Sequence, residues 1–300
     1  MKKILISGSS GLIGSHLSAF LSEQGHTISR LVRQKKSNTS KEILWDPIEE
    51  VIENNYLQDF DIVIHLAGAS IASWPWNRNK KAKIKNSRVQ GTHFLSKKLA
   101  ELHSKPQLLI CASAIGYYGD RGEELLDEGS HAGEGFLCEV CQEWEAAAEP
   151  AKQAGIRVTQ LRFGMVLSSK QGALAKMLPF FRCGLGAVIG SGKQYISWIT
   201  LADVSRIINH IMETSEIHGP INVVAPLPVP HAEFSRCLAR VLSRPVIFTL
   251  PSFILKVALG EMAEELLLAS TRVIPKKLIA SAYSFQYSQL EPALRSILNH

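Results

Sequence analysis

A short apolar run followed at once by three evenly spaced glycines opens the chain and limits what it can fold into. Lys3–Ser7 is typical of a strand, and an amphipathic segment, Leu12–Gln24, begins inside the glycine repeat. Because glycine lacks a Cβ atom, such a turn lets the backbone approach a pyrophosphate, while the helix N-terminus offers it unpaired N–H groups. This order favours a dinucleotide-binding turn over a merely tight structural turn. We expect contacts from Gly8, Ser10, Gly11, Leu12, Ile13 and Gly14.

The rest of the first half alternates short apolar strands with longer amphipathic helices. Strands are predicted at Lys3–Ser7, Thr27–Val32, Asp61–Leu66, Leu108–Ser113 and Arg157–Leu161. Helices are predicted near Leu12–Gln24, Lys80–His103 and Phe136–Gln153. This alternation predicts an α/β fold with a doubly wound parallel sheet, the Rossmann arrangement.

The alternation of strands and helices becomes less regular in the second half of the chain. A helix is predicted near Ala173–Arg182 and a last strand at Ile221–Ala225, after which three prolines precede a mostly helical tail. The tail ends in a strand-like aromatic patch around Tyr283–Tyr287. We expect a Rossmann domain with part of the substrate cleft over 1–225, and a smaller helical lobe over 226–300. Since no low-complexity linker separates them, the lobe should pack on the main domain.

Composition excludes several classes of protein. The formal charge is +6, but the basic residues are dispersed, which favours an enzyme that handles anionic ligands over a nucleic-acid-binding protein. Five cysteines without a signal peptide predict a reduced, cytoplasmic protein, and no apolar run is long enough to span a membrane. Cys138 and Cys141 are interpreted as small residues on a helix face, so no metal site is predicted. The oligomeric state is left open.

The end of the second predicted strand bears on the choice of dinucleotide. An acid at this position binds a ribose 2′-hydroxyl, whereas an arginine accommodates a 2′-phosphate. No acid occurs between Gln24 and Lys41, and residues 29–36 contain four bases. Arg33 is the base best placed to hold a phosphate, so NADP(H) is favoured over NAD(H). The alternative interpretation is a solvated basic loop.

Further motifs follow in order along the chain. They are Gly8-x-x-Gly11-x-x-Gly14, His65-Leu66-Ala67-Gly68-Ala69, Arg88-Val89-Gln90-Gly91-Thr92, Ala112-Ser113-Ala114-Ile115-Gly116-Tyr117-Tyr118-Gly119 and the run Leu161–Leu167. Together they resemble the extended branch of the short-chain dehydrogenase/reductase superfamily. Asn86-Ser87-Arg88-Val89, Glu143-Trp144-Glu145 and Ser197-Trp198-Ile199 resemble more narrowly its atypical "epimerase family protein" subgroup.

The resemblance implies further cofactor contacts. Val32 and Arg33 would flank the adenosine phosphate, and Leu66 and Ala67, with Gly68 next to them, would line the adenine and ribose. Met165 and Val166 would approach the nicotinamide. Arg88 stands where relatives often carry an asparagine and would contact cofactor or substrate; its alternative is a surface charge on a helix.

The resemblance fails at the residues that move protons in this superfamily. Relatives use a tyrosine and a lysine four residues apart, and the ammonium lowers the phenol pKa. The corresponding positions here are Leu137 and Cys141, and neither can play that part. Ser113, with Ala114 as an equally plausible partner, matches the serine that helps to hold the substrate oxygen. Tyr117 and Tyr118 are candidate proton donors, although either is at least as well explained by packing.

Two functions therefore compete. The first is an NADP-dependent oxidoreductase or epimerase that acts on a small molecule with an atypical acid. The second is a non-catalytic NADP(H)-binding sensor or interaction module. Two other polar residues are expected to be structural: His65 as a satisfied polar residue at a strand end, and Asp203 as a cap or dipole partner of the helix after Thr200.

Overall fold

The computed structural model describes residues 1–35, 41–52 and 57–298. In chain order, the elements of the first part are β1 (Lys3–Ser7), α1 (Leu12–Glu23), β2 (Thr27–Val32), β3 (Glu42–Asp46), β4 (Val51–Ile52), β5 (Ile62–His65), α2 (Arg78–Ala100), β6 (Leu108–Ala114), β7 (Leu125–Leu126), α3 (Phe136–Ala146), α4 (Glu149–Gln153) and β8 (Arg157–Phe163). A 3-10 turn, Ile115–Tyr118, follows β6.

The second part contains shorter elements. They are β9 (Met165–Leu167), α5 (Gly172–Arg182), β10 (Ala187–Ile189), β11 (Tyr195–Ile196), β12 (Trp198–Thr200), α6 (Leu201–Glu213), β13 (Gly219–Val223), β14 (Val229–Pro230), α7 (His231–Val241), β15 (Phe248–Leu250), α8 (Ser252–Leu259), α9 (Glu261–Ala263), β16 (Arg272–Val273), α10 (Lys276–Ala280) and α11 (Leu290–Leu298). A π-helical turn, Glu264–Leu268, follows α9.

The main sheet confirms the predicted doubly wound α/β fold. Within the described residues its strand order is β13-β8-β6-β5-β1-β2-β3-β4, and only the short β4 runs antiparallel to its neighbour. The chain moves outward from β1 in one direction through β2 and β3, then returns to the other side at β5. The order therefore reverses between β1 and β5, and in such sheets ligands bind beyond the C-terminal ends of the strands at this reversal.

Strand alternation gives the sheet two buried faces. Ile4 and Ile6 pack on one face with Leu17 of α1, while Leu5 packs on the other with Leu95 and Leu99 of α2. Successive strand residues point to opposite faces, so a parallel strand covered by helices on both sides is apolar throughout. This double burial explains why the predicted strands are continuous apolar runs.

Three details of the sequence prediction were wrong. Strand β3 was not predicted, although its run ends at Asp46-Pro47, a turn signal. The single helix predicted over Phe136–Gln153 is divided into α3 and α4, and Pro150 stands in the first turn of α4, where its missing N–H costs nothing. The last strand of the sheet is shifted to β13, two residues earlier than predicted.

The aromatic patch Tyr283–Tyr287 was also wrongly predicted as a strand. Its backbone is irregular because its hydrogen-bond donors bind the Asp203 side chain instead of another strand. The Asp203 carboxylate accepts from Gln286 N at 2.8 Å, from Tyr287 N at 3.2 Å and from the Tyr283 hydroxyl at 3.0 Å. Asp203 also belongs to the cap of α6, where its own N–H donates to the Thr200 side chain. The predicted cap role of Asp203 is therefore confirmed, with an anchoring role added.

The C-terminal segment is helical, as predicted, and shares the main core. Phe234 of α7, Leu278 of α10 and Leu294 of α11 lie in one hydrophobic cluster with Ile4 and Leu17. The segment therefore completes the face of the sheet that α1 and α6 also cover. In the described part of the chain, no helix is both long and apolar enough to cross a membrane.

Candidate cofactor and active site

The glycine turn is wedged between β1 and the end of β5. Gly8 has φ +69°, and a Cβ added there would lie 2.7 Å from the carbonyl carbon of Leu66. A Cβ on Gly14 would collide with the carbonyl oxygen of Gly8. The first and third glycines are thus required by backbone packing, and the turn lies directly against the β5 end that carries Leu66, Ala67 and Gly68.

The N-terminus of α1 is open. Its N-cap, Gly11, has no side chain to accept a hydrogen bond, and the first turn contains no acidic residue. The N–H groups of Leu12, Ile13 and Gly14 have no partner among the described residues. A Cβ on Gly11 would meet only the Gly8 carbonyl oxygen, at 3.4 Å, and Ser10 is exposed next to it. Free donors and a positive dipole end fit a dinucleotide pyrophosphate.

A buried Ser–His pair fixes the strands beneath this turn. Ser7 Oγ lies 2.6 Å from Nδ1 of His65, and Leu66 N donates to the same Ser7 oxygen at 3.2 Å. Burial lowers the pKa of His65 to about 4, so the ring is neutral at physiological pH. The prediction of a satisfied polar residue therefore holds for Nδ1 of His65 and is wrong for Nε2, which lacks a partner among the described residues. The pair joins the last residue before the glycine turn to the last residue of β5.

The adenosine side of the site lies at the ends of β2 and β3. Val32 is half-buried, and Arg33, just beyond it, is exposed. Lys36, the last of the four predicted bases, falls outside the described residues. Since β3 lies next to β2, Trp45 and Asp46 also stand at this edge, and the Asp46 carboxylate accepts from Ile48 N at 2.8 Å. Sequence reasoning missed these two residues together with their strand.

Met165 and Val166 lie close to the start of α1. They belong to β9, which pairs with β12 beyond the end of β8. A Cβ on Gly172 would be 3.5 Å from Leu12 Cδ2 and 3.7 Å from the Val166 carbonyl oxygen, so β9 and the glycine turn share one neighbour. The structure therefore brings together residues that the sequence separates by more than half the chain.

The two α3 positions that replace the tyrosine–lysine pair are inert. Leu137 and Cys141 are buried, and both side chains face Gly116: a Cβ there would lie 3.3 Å from Leu137 Cβ and 3.8 Å from Cys141 Sγ. Burial raises the pKa of the Cys141 thiol to about 12. An uncharged thiol cannot replace an ammonium. Cys138 is also buried, with its sulfur 3.0 Å from the carbonyl oxygen of Tyr117.

The N-terminus of α3 is closed by the C-terminal segment. The carboxylate of Glu265 accepts from Phe136 N at 2.8 Å and from Leu137 N at 3.1 Å. Next to this contact is a cavity of about 270 Å³. Its lining includes Gly116, Glu134, Glu265, Leu268 and Thr271. Chain from the distant C-terminal segment therefore forms one wall of the space next to Leu137.

A buried polar network holds two of the three proposed catalytic residues. Ser113 Oγ donates to Glu145 at 2.7 Å, and Arg162 binds both carboxylate oxygens of Glu145 at 2.8 Å. Arg162 also donates to the Tyr118 hydroxyl at 3.0 Å, and that hydroxyl donates to Asn222 at 2.7 Å. Such a network stabilises the site only while every member is paired.

Burial argues against a catalytic role for Tyr118 and Ser113. The Tyr118 side chain is 0% exposed, and burial raises the pKa of its phenol to about 12. Ser113 is 2% exposed and its hydrogen is committed to Glu145. The Glu145–Arg162 pair that binds them was missed by sequence reasoning. Its signal was two ionisable residues inside otherwise apolar motifs, Trp144-Glu145-Ala146 and Leu161-Arg162-Phe163.

Tyr117 differs from Tyr118 in being half-buried. The guanidinium of Arg162 stacks on its ring, with Cζ 3.4 Å from the ring centroid, and the two tyrosine rings meet edge-on at 5.4 Å. Cation–π stacking fixes the ring orientation. Of the two adjacent tyrosines, Tyr117 is the one whose side chain is partly exposed.

Comparison with known proteins establishes the family. Residues 4–224 match the NAD dependent epimerase/dehydratase family, and residues 250–297 match a domain of unknown function, DUF1731. The chain belongs to the NAD dependent epimerase/dehydratase family. The resemblance predicted from the glycine turn and the later motifs is thereby confirmed.

Full-length relatives support this assignment. The chain is 40% identical over 291 residues to an epimerase family protein of Mycobacterium bovis, covering 97% of this chain and 96% of that protein. It is 36% identical over 299 residues to the epimerase family protein YfhF of Bacillus subtilis, covering 98% and 97%. It also matches the crystal structure of human epimerase family protein SDR39U1 with NADPH, with a TM-score of 0.91, 30% identity and 99% of each chain covered.

Proposed function

We propose that this protein binds NADP(H) and acts as an oxidoreductase or epimerase on a small molecule, with an active site that lacks the tyrosine–lysine pair. The observation that carries the proposal is the open N-terminus of α1, which follows a glycine turn packed against Leu66 and shares the neighbour Gly172 with β9. The relative SDR39U1 was crystallised with NADPH, which supports the same dinucleotide here. When bound, this cofactor would supply or accept a hydride.

Different residues would bind the pyrophosphate, bind the 2′-phosphate and exchange the proton. The donors of α1 would hold the pyrophosphate, and Arg33 would bind the 2′-phosphate through charge-assisted hydrogen bonds. Arg33 is exposed just beyond the end of β2. Tyr117, oriented by Arg162, is the residue we propose to exchange a proton with the substrate oxygen.

The cofactor preference is tested with Arg33→Gln. Because a charged arginine–phosphate contact contributes roughly 1.5–3 kcal/mol, NADPH should bind at least about tenfold more weakly while NADH is unaffected. Fluorescence titration of both dinucleotides measures the effect. Arg30→Gln is the matched control, since Arg30 is an exposed base on the same strand. An unchanged ratio of NADPH to NADH affinity in Arg33→Gln would assign the preference elsewhere.

The reaction is tested by turnover with a panel of carbonyl compounds and sugar nucleotides. Tyr117→Phe should abolish turnover while leaving NADPH affinity and melting temperature close to wild type. Tyr118→Phe removes a buried hydroxyl from the Arg162 network, so its main effect should be a loss of stability. Full turnover in Tyr117→Phe would exclude this tyrosine as the acid.

A non-catalytic NADP(H) sensor is the second candidate function. It is favoured by Leu137 and Cys141, which leave the two positions of the usual tyrosine–lysine pair without a proton donor and without a cation, and by the burial of Tyr118. Tight co-purifying NADPH, no turnover across the panel and a partner that binds only in the presence of the cofactor would support this function instead.

A further inference from the structure

Helix α8 carries apolar side chains on its outward face as well as on its inward face. Among its residues, all of which the structure describes, only Leu255 is buried, whereas Phe253, Ile254 and Val257 are exposed. Phe253 and Val257 are four residues apart, so they lie one above the other on the side of the helix away from Leu255. A helix that is apolar all round is normally buried. The outward face of α8 is therefore a surface that another molecule is expected to cover.

Helix α7, which precedes α8 in the chain, has the ordinary pattern of a surface helix. Its inward residues include Phe234 and Leu238, which are buried in the main core. Its exposed positions are Glu233, Arg236 and Arg240, all of them charged. Apolar residues on an outward face are thus a property of α8 and not of the C-terminal segment as a whole.

The elements next to α8 add further exposed apolar residues. Strand β15 ends one residue before α8 begins, and Ile247 and Phe248 are exposed at its start. β15 pairs with β10 in a two-stranded parallel sheet, in which Phe248 stands opposite Ala187. Leu185, two residues before Ala187, is exposed as well. We define the α8 surface as six residues: Leu185, Ile247, Phe248, Phe253, Ile254 and Val257.

The α8 surface is close to the size that a stable dimer needs. Its six residues are between 42% and 86% exposed. Aromatic side chains carry about 150–250 Å² each and aliphatic ones somewhat less, so the α8 surface presents on the order of 600–700 Å². The largest apolar patch of a typical monomer is about 300–600 Å², and one partner of a stable complex contributes about 800 Å². With a polar border, the α8 surface reaches the second value.

The charges at the border of the α8 surface favour a second copy of this chain as the partner. Lys256 of α8 and Glu264 of the following π-helical turn contact each other at 2.8 Å, and more than half of each side chain is exposed. In a twofold dimer the same surface of both copies meets, so every contact between two different residues occurs twice. Lys256 can then pair with Glu264 of the partner subunit, and the reverse contact follows by symmetry. An anionic membrane, in contrast, would meet the Glu264 carboxylate and repel it.

We propose that the protein forms a twofold dimer through the α8 surface, with the outward faces of two α8 helices in contact and Lys256 of each copy beside Glu264 of the partner subunit. The inference goes beyond the proposed function, because none of the six residues belongs to the candidate cofactor site. The chain continues from α8 to Glu261, which binds Lys81 at 2.7 Å, and to Glu265, which caps α3. The dimer would therefore hold in place the segment that forms one wall of the cavity next to Leu137.

Sedimentation velocity over a range of protein concentrations tests the dimer, with circular dichroism as the check on folding. The wild type should sediment as two chains of 33.1 kDa each. Val257→Asp should weaken association at least about a hundredfold, because it places an unpaired charge in an apolar interface. Ile279→Asp is the matched control, since Ile279 is an exposed apolar residue of α10 outside the α8 surface, and it should leave the dimer intact. A wild type that is monomeric up to about 100 μM, where even weak complexes form, or a dimer that Val257→Asp leaves intact, would overturn the proposal.

A mixing experiment tests the contact between Lys256 and Glu264. Lys256→Glu and Glu264→Lys should each weaken self-association roughly tenfold, because each replaces two attractive contacts of the dimer by two repulsive ones. An equimolar mixture of the two variants should form mixed dimers that are tighter than either variant alone. Mixed dimers no tighter than the single-variant dimers would contradict the twofold arrangement.

The other occupant of an exposed apolar surface is a lipid bilayer. Wild-type protein should not co-sediment with vesicles of phosphatidylcholine and phosphatidylglycerol. Co-sedimentation of a monomeric wild type that is lost in Val257→Asp and kept in Ile279→Asp would assign the α8 surface to a membrane and overturn the dimer.

Discussion

Helices α1 and α3 both lie in connections between parallel strands of the main sheet, but their N-termini are completed differently. The first turn of α1 has no side-chain cap and no acidic residue, and its N–H groups have no partner among the described residues. The first turn of α3 receives the Glu265 carboxylate from the C-terminal segment. The same backbone feature is thus left without a protein partner in one helix and is closed by an internal contact in the other. Retention of cofactor binding and loss of the usual catalytic pair are therefore two separate properties of this chain.

The largest effect on stability and NADPH binding is expected from a substitution at the open N-terminus of α1. Gly14→Ala would force a Cβ against the Gly8 carbonyl oxygen, so we expect about 3 kcal/mol or more of destabilisation and no NADPH binding. Urea unfolding and calorimetric titration measure the two effects.

Gly11→Ala is the matched variant. Gly11 has φ −77°, which alanine adopts freely, and its Cβ would meet only one atom of the described residues, at 3.4 Å. Stability should stay within about 0.5 kcal/mol of wild type, while NADPH binding falls at least about tenfold because the methyl group takes the space of the pyrophosphate. Normal binding in Gly11→Ala would show that α1 does not receive the dinucleotide.

Buried His65 at the end of β5, beneath the glycine turn, predicts that the free energy of unfolding depends on pH. The His65 pKa is about 4 in the folded protein against an ordinary value of 6.5, so the unfolded chain binds the extra proton between these values. Stability is therefore fully present above pH 6.5 and falls as the pH drops toward 4, by about 2 to 3 kcal/mol from this residue alone. Urea unfolding at pH 7.5 and 4.5 measures the loss.

His65→Gln should be less stable than wild type at pH 7.5, because the Ser7 contact is disturbed, but its decline toward pH 4.5 should be smaller. His231 of α7 has a similarly low pKa, about 4, also because of burial, so His231→Gln shows what a buried histidine far from the glycine turn contributes. If His65→Gln lowers both the free energy of unfolding and the NADPH affinity, whereas His231→Gln lowers only the free energy of unfolding, the Ser7–His65 pair specifically supports the N-terminus of α1. An unaltered pH profile in His65→Gln would contradict the buried neutral ring.

The smallest effect on stability is expected at the N-terminus of α3, which Glu265 closes. Glu265→Ala removes the acceptor of two α3 amides and should cost about 1 kcal/mol, the usual value for a lost helix cap. Hydrogen exchange at Phe136 and Leu137 should become faster while exchange at the α1 amides does not change. The neighbouring Glu264→Ala breaks only an exposed pair with Lys256 and should be nearly neutral. Equal effects of the two variants would mean that Glu265 does not cap α3.

Sequence patterns predicted the fold best where burial imposes a simple period. β1 and β2 have the bounds that their apolar runs predicted, since strands covered on both faces exclude polar residues. The patterns failed at Tyr283–Tyr287, where aromatic residues typical of a strand instead surround Asp203. They also failed to separate Tyr117 from Tyr118, because adjacent residues of one type differ only in what packs around them.

The sequence by itself determined the glycine turn, the absence of a tyrosine–lysine pair and the basic end of β2. These features depend on residue identity and on spacing within one strand–turn–helix unit, where backbone geometry is local. Only the tertiary structure decided that Glu265 closes α3 from 129 residues away, that Glu145 and Arg162 bury Tyr118, and that Arg88 of α2 lies against the Trp144 ring of α3. Such contacts depend on how distant segments pack, and no local period of the sequence encodes them.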